Sequence, residues 1–141
     1  MKLQKSQFNF LHYEVRNIDI KVLKRSREAN NFVYSVESAV SDIVYQDEYA
    51  SFGLKLTVVG EYEEEKFREV NFEIVGVFDG FKEMGKEKFE KFCMVSGVAN
   101  LLQASRSTIS AFSSLMNLYP PINLPLFDLR KSIEDQKKRD K

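Results

Sequence analysis

The chain has 141 residues, within the usual size of one domain at roughly 100–150 residues, so a single domain over 1–141 is expected. With 21 Lys and Arg against 21 Asp and Glu, it lacks the cationic excess that phosphate binding demands, which excludes the ordinary nucleic-acid binder. Its 12 Phe, 6 Tyr and 43% hydrophobic content can build a core, while a lone cysteine, Cys93, and a lone histidine, His12, rule out an internal disulfide and starve a structural zinc site of soft ligands.

The N-terminal two-thirds alternates with period two. Phe8 and Phe10 are followed by Ile18, Ile20 and Val22, then by Phe32, Tyr34, Val36 and Val40. Phe52, Leu54, Leu56 and Val58 continue the pattern, and Phe72, Ile74 and Phe78 close it, with Val75 and Val77 making the other face of that segment apolar too. Alternation rich in aromatic and β-branched residues marks half-buried strands. Four are expected, near 7–23, 32–46, 48–60 and 67–81, forming a four-stranded antiparallel meander over 7–81, because parallel pairing needs a longer crossover. Gly60 and the acidic run 61–65 punctuate the third and fourth strands, the run reading as a solvated hairpin tip.

A helical region is expected over 84–117. Phe89 and Phe92 sit among alternating Glu and Lys in a short amphipathic helix, and Gly97 is expected to separate it from a longer helix. Along that helix Val98, Leu102, Ile109, Phe112 and Met116 fall on one face, Leu101, Thr108 and Leu115 form a second row, and small residues such as Ala104, Ser105, Ser110 and Ser113 lie between. From Phe92 to Phe127 the only charge is Arg106. A solvated helix normally carries a charged face, so this one is expected to be covered on more than one side, by a partner subunit or within the monomer. The segment 118–127 holds Pro120, Pro121 and Pro125 among apolar residues. It can be neither helix nor central strand, and its apolarity requires that it pack on something or present itself to a partner. Asp128 then reads as the N-cap of a short C-terminal helix over 128–138 that runs into a basic tail.

No chemistry-bearing motif emerges. Gly76, Gly80 and Gly85 are too widely spaced for a phosphate loop, the helix serines stand in no nucleophile elbow, and Cys93 has no neighbour that would activate it. Neither an enzyme nor a cofactor is expected. No apolar run reaches about 18 residues and no secretory pattern opens the chain, so no membrane insertion and a cytoplasmic location are expected. What the chain offers is apolar surface suited to binding extended polypeptides.

Asn100-Leu101-Leu102, Arg106, and Tyr119-Pro120-Pro121-Ile122-Asn123-Leu124-Pro125, set after the strands, resemble the SecB-like molecular chaperones. The likeness covers roughly residues 8–130 in layout and is sharpest over 97–127. It implies an α+β subunit whose antiparallel sheet carries helices on one face, assembled as a homotetramer, a dimer of dimers with the long helices between sheets. It further implies an ATP-independent holdase for unfolded or nascent polypeptides, serving protein export or a dedicated client such as the antitoxin of a toxin–antitoxin pair. By match to the family's loop, Tyr119, Ile122, Leu124, Leu126 and Phe127 would line a client groove. Val98, Leu102, Ile109, Phe112 and Met116 would pack on the sheet or face another subunit, and Arg106 would make an ion pair or a cap. The chain departs from the export members at Asn17 and Lys21, where an acidic segment is expected, at Gln103-Ala104-Ser105, and in its basic end, Lys137 to Lys141. Those departures count against docking to the SecA motor. The alternatives are an adaptor for one specific partner and, from no positive feature, a ligand pocket near His12.

Overall fold

The computed structural model describes residues 7–25 and 31–125. The chain is α+β, with strands β1 (Asn9–Val22), β2 (Val33–Val40), β3 (Val44–Gln46), β4 (Tyr49–Tyr62) and β5 (Glu65–Asp79). Helices α1 (Phe81–Met84) and α2 (Lys86–Phe92), a π turn (Cys93–Gly97) and α3 (Val98–Leu115) follow. The final helix expected over 128–138, together with Leu126 and Phe127, lies outside the described residues.

The sheet has five strands, all antiparallel, in the order β1-β5-β4-β2, with β3 also paired to β4. This corrects the expected four-stranded meander in two ways. First, β1 and β2 are not neighbours: β1 pairs with β5 at one edge and β2 lies at the other. The physical reason is burial. Both faces of β5 are apolar over Ile74–Phe78, and its residues alternate between buried and half-buried almost throughout, which requires a neighbour on each side. By contrast β1 carries Glu14, Arg16, Asp19 and Lys21 and has no fully buried residue, its positions divided between exposed and half-buried, as suits an edge strand. Second, the segment expected as one strand over 32–46 is broken at 41–43. Val40 stands opposite Leu54 and Val44 opposite Ser51, so this side spends one residue more than β4 over the same stretch, a bulge. Ser41 bridges the gap: its N–H donates to Gly53 O at 2.9 Å and its Oγ accepts from Gly53 N at 2.7 Å.

One face of the sheet carries the core. Phe52, Leu54, Leu56 and Val58 of β4 and Val70, Phe72, Ile74 and Phe78 of β5 point into it, meeting Phe89, Cys93, Leu101 and Ile109 from the helices. Two glycines bring helix and sheet together. A Cβ at Gly76 would lie 2.7 Å from Leu101 Cδ2, and one at Gly97 would lie 2.9 Å from Phe52 Cζ. Gly97 therefore does not separate two helices as expected. Its φ of −64° and ψ of −47° are helical, and the helix runs on through a π turn in which Val98 N–H reaches back to Cys93 O. The glycine is there for closeness rather than for a break. Gly60 likewise lies inside β4, opposite Arg68, rather than at its end.

A Schellman motif ends α3. Asn117 takes a left-handed φ of 55°; its N–H bonds Ser114 O at 3.0 Å, and Leu118 N–H bonds Ser113 O at 3.0 Å. From there the proline segment, with a cis Tyr119–Pro120 bond, folds back along α3.

Candidate functional site

The proline segment is clamped at both ends by arginines. At its start Arg68 of β5, 4% exposed, donates through Nη1 to Pro120 O at 2.5 Å and through Nη2 to Tyr119 O at 3.4 Å. At its end Arg106 of α3 donates through Nε and Nη2 to Leu124 O at 3.1 and 3.0 Å. Arg106 thus caps a carbonyl, one of the two roles implied for it. Between them the buried Ser113 hydroxyl accepts from Ile122 N at 2.8 Å and donates to Ser110 O at 2.9 Å. An apolar segment without secondary structure needs such partners, because each buried backbone group left unmade is costly.

The clamping decides where the expected groove residues stand. Ile122 and Leu124 are 0% and 3% exposed and belong to the core, whereas Tyr119 is 82% exposed. The helix face also divides along its length. Val98, Leu102 and Ile109 are buried in the core, while Phe112 and Met116, on the same face one and two turns later, are 45% and 47% exposed. The small residues beside them, Ser110 and Ser113, meet the proline segment, so part of the second cover inferred from the missing charge comes from the chain itself. Leu115, Met94 and Val95 remain open.

Where α3 ends, a cavity of about 630 Å³ opens against the end of the sheet. Val22, Lys24 and Arg25 line it from the end of β1, Phe32 from the approach to β2, Phe67 and Arg68 from β5, and Met116 to Tyr119 from the helix end. Arg68 lies within it, its guanidinium 4.1 Å from the centre of the Phe32 ring and 3.2 Å from Tyr34 Oη. Gly60 makes that placement feasible, since a Cβ there would fall 2.7 Å from Arg68 Cγ and 2.9 Å from Tyr34 Cε1. Burial pushes the Tyr34 hydroxyl above its ordinary pKa, although the adjacent Arg68 pulls the other way. Along the sequence Phe32 reads only as a strand residue, and Arg68 belongs to no pattern. The available signal was an arginine at an inward position of an apolar strand, opposite a glycine.

The other chemistry-bearing residues are not assembled into a site. Cys93 is buried, and its thiol is pushed up to about 12 by burial and, secondarily, by Glu90. Tyr45 is likewise pushed up to about 12, by burial and by its bond to the Glu90 carboxylate at 3.0 Å. His12 is exposed on β1 opposite Val77. Among the described residues no three His, Cys, Asp or Glu side chains gather as metal ligands, and no helix is long and apolar enough to cross a membrane.

The chain matches no protein-family model and no curated protein sequence. Among solved structures it is similar to a SecB-like chaperone of Mycobacterium tuberculosis, determined in complex with a ChAD peptide from the HigA1 antitoxin. The TM-score is 0.69 at 13% identity, covering 86% of this chain and 91% of that one. A Streptococcus agalactiae protein of unknown function overlays with a TM-score of 0.46 at 13% identity, over 84% of this chain and 97% of that one. The second overlay is too loose to build on; the first is a likeness of fold.

Proposed function

We propose that this chain, which has the SecB-like fold, is an ATP-independent holdase that binds non-native polypeptide segments. The observation that carries the reading is the cavity at the end of α3 together with exposed apolar side chains there, Phe112 and Leu115 on a helix otherwise packed on the sheet and Met116 and Tyr119 just beyond its end. A flexible methionine and aromatic rings make contacts that tolerate sequence differences among clients. In this arrangement Tyr119, with Leu126 and Phe127 beyond it, contacts the client, while Ile122 and Leu124 anchor the segment from below. Nothing in the mechanism requires bond making, a metal or a nucleotide; apolar surface is withdrawn from water on both partners, and aggregation of the client slows.

The resemblance supports assembly as a homotetramer through the open side of the helix, with Phe112 and Met116 shared between subunit contact and client contact. The solved SecB-like neighbour holds an antitoxin peptide, which favours a dedicated client over the export role for this chain, as do Asn17 and Lys21 at the positions where SecA docking would need acids. The deciding measurement is light-scattering mass of the purified chain together with its ability, without ATP, to keep a chemically denatured enzyme from aggregating. A mass near four subunits with protection is expected. A protein that protects nothing, yet binds one folded partner in fixed stoichiometry, would be an adaptor instead.

A further inference from the structure

Arg68 presents a charge problem that the described residues do not solve. It is almost wholly buried, and the groups bonded to it are all neutral: the Tyr34 hydroxyl and the carbonyls of Tyr119 and Pro120. The ion pairs among the described residues involve Arg16, Lys21, Lys24 and Lys91, and none involves Arg68. A buried cation without a counter-charge is expensive to keep, and stacking on Phe32 offsets only part of that. The three bonds leave the Nε–H and one Nη2 hydrogen uncommitted, on a residue that lines the cavity. Arg25 is exposed at the same cavity, and Lys24 lines it while paired to Glu65.

We infer that the cavity receives an acidic side chain from within an apolar client segment, an Asp or Glu flanked by aliphatic or aromatic residues, with its carboxylate on Arg68. Charge complementarity selects the carboxylate, and the walls select its neighbours. Phe32, Phe67, Met116 and Tyr119 supply apolar surface around the guanidinium. Apolar surface beyond the lining argues for a segment that passes through the cavity rather than ending there. Leu23 and Val33, which adjoin the lining residues Val22, Lys24 and Phe32 in the chain, and Leu115, which adjoins Met116, are exposed apolar residues next to the cavity. This deepens the holdase reading and rests on it.

The test uses the full chain and fluorescently labelled peptides blocked at both ends, with Leu-Asp-Phe at the centre, against the same peptides with Leu-Asn-Phe and with the Asp moved to a distant polar stretch. By fluorescence anisotropy the Leu-Asp-Phe peptide is expected to bind about tenfold more tightly than the other two, the usual scale for one charge-assisted contact in a partly buried site. Arg25→Gln, an exposed change, is expected to reduce that preference. Arg68→Met is expected to remove it while the Asn peptide still binds. If Arg68→Met fails to fold, the peptide series on the wild-type chain still decides. Equal affinity for the Asp and Asn peptides overturns the inference but leaves polypeptide binding intact. Equal gain from the displaced Asp, or a gain seen only with a free terminal carboxylate, also overturns it. If no peptide binds and no client is protected, the holdase reading itself falls.

Discussion

The fit of Gly60 against Arg68 can be tested by adding a single methyl group. In Gly60→Ala the new Cβ would stand 2.7 Å from Arg68 Cγ and 2.9 Å from the Tyr34 ring, both closer than carbon atoms tolerate. Neither contact lies at the free end of a flexible chain, since Arg68 is held by three hydrogen bonds and Tyr34 by one of them. Overpacking of this kind costs about 1–3 kcal/mol, and the restricted unfolded chain returns about 0.4–1 kcal/mol, leaving a net loss of about 1.3 kcal/mol from the middle of each range. For a chain of this length that lowers Tm by roughly 4 °C. The control is Gly53→Ala in the same strand, where the nearest atoms would lie at 3.4 Å or beyond and the change should be neutral or slightly stabilising. Urea and thermal unfolding followed by far-ultraviolet circular dichroism would compare the two, the chain having no tryptophan. Equal stability of the two variants would refute the account of how Arg68 is accommodated.

Three further outcomes follow from the structure. Ser113→Ala strands the buried Ile122 N–H and should cost about 1–3 kcal/mol in urea unfolding, whereas Ser114→Ala, whose hydroxyl is exposed and bonds only Ser110 O, should cost much less. Arg106→Met should free Leu124 O and raise hydrogen exchange across the proline segment while α3 stays formed, which exchange mass spectrometry would resolve. Cys93 ionises near 9 in the unfolded chain and near 12 in the folded one. Its contribution to stability is therefore complete below pH 9 and is lost as pH rises toward about 12, with Tyr45 adding to the same loss above pH 10. Urea midpoints measured between pH 8 and pH 11 should fall monotonically, and the fall should shrink in Cys93→Ala.

Much of the architecture was legible because alternation and helical spacing are local properties. The strands lie near their expected places, as does the long helix, but Leu101, which the spacing sets in a second row apart from Leu102 and Ile109, is buried with them. Strand order was harder to read, because it depends on which strand needs two neighbours; the apolar Val75 and Val77 beside Ile74 carried that information, and the short-connection rule overrode it. Along the chain Gly60 and Gly97 read as punctuation, because glycine does break elements. Here both admit a neighbour too close for any Cβ, a non-local fact invisible along the chain. The cavity is illegible along the chain for a related reason: Val22, Phe32, Arg68 and Tyr119 are scattered through the sequence and meet only once β1 and β2 are placed on opposite edges of the sheet.

The π turn at Cys93–Gly97 has a consequence for what lengths the chain tolerates. An α-helix advances about 100° per residue, so positions spaced by four drift by about 40° at each step. Phe89, Cys93, Gly97 and Leu101 are spaced in that way, and all four are buried. The wider turn takes back the accumulated drift, and α2 and α3 can therefore present one continuous face to a single sheet. Deleting one residue within the turn, Ser96 for instance, would let it close as an ordinary α turn and leave Leu101 and Ile109 facing the sheet, because the residue lost and the winding regained cancel. Deleting one inside α3, Gln103 for instance, has no such compensation and would swing Ile109 out of the core by about 100°. Insertions that the hairpin at 62–65 could absorb without effect would be ruinous inside α3, where the helix keeps phase by residue count.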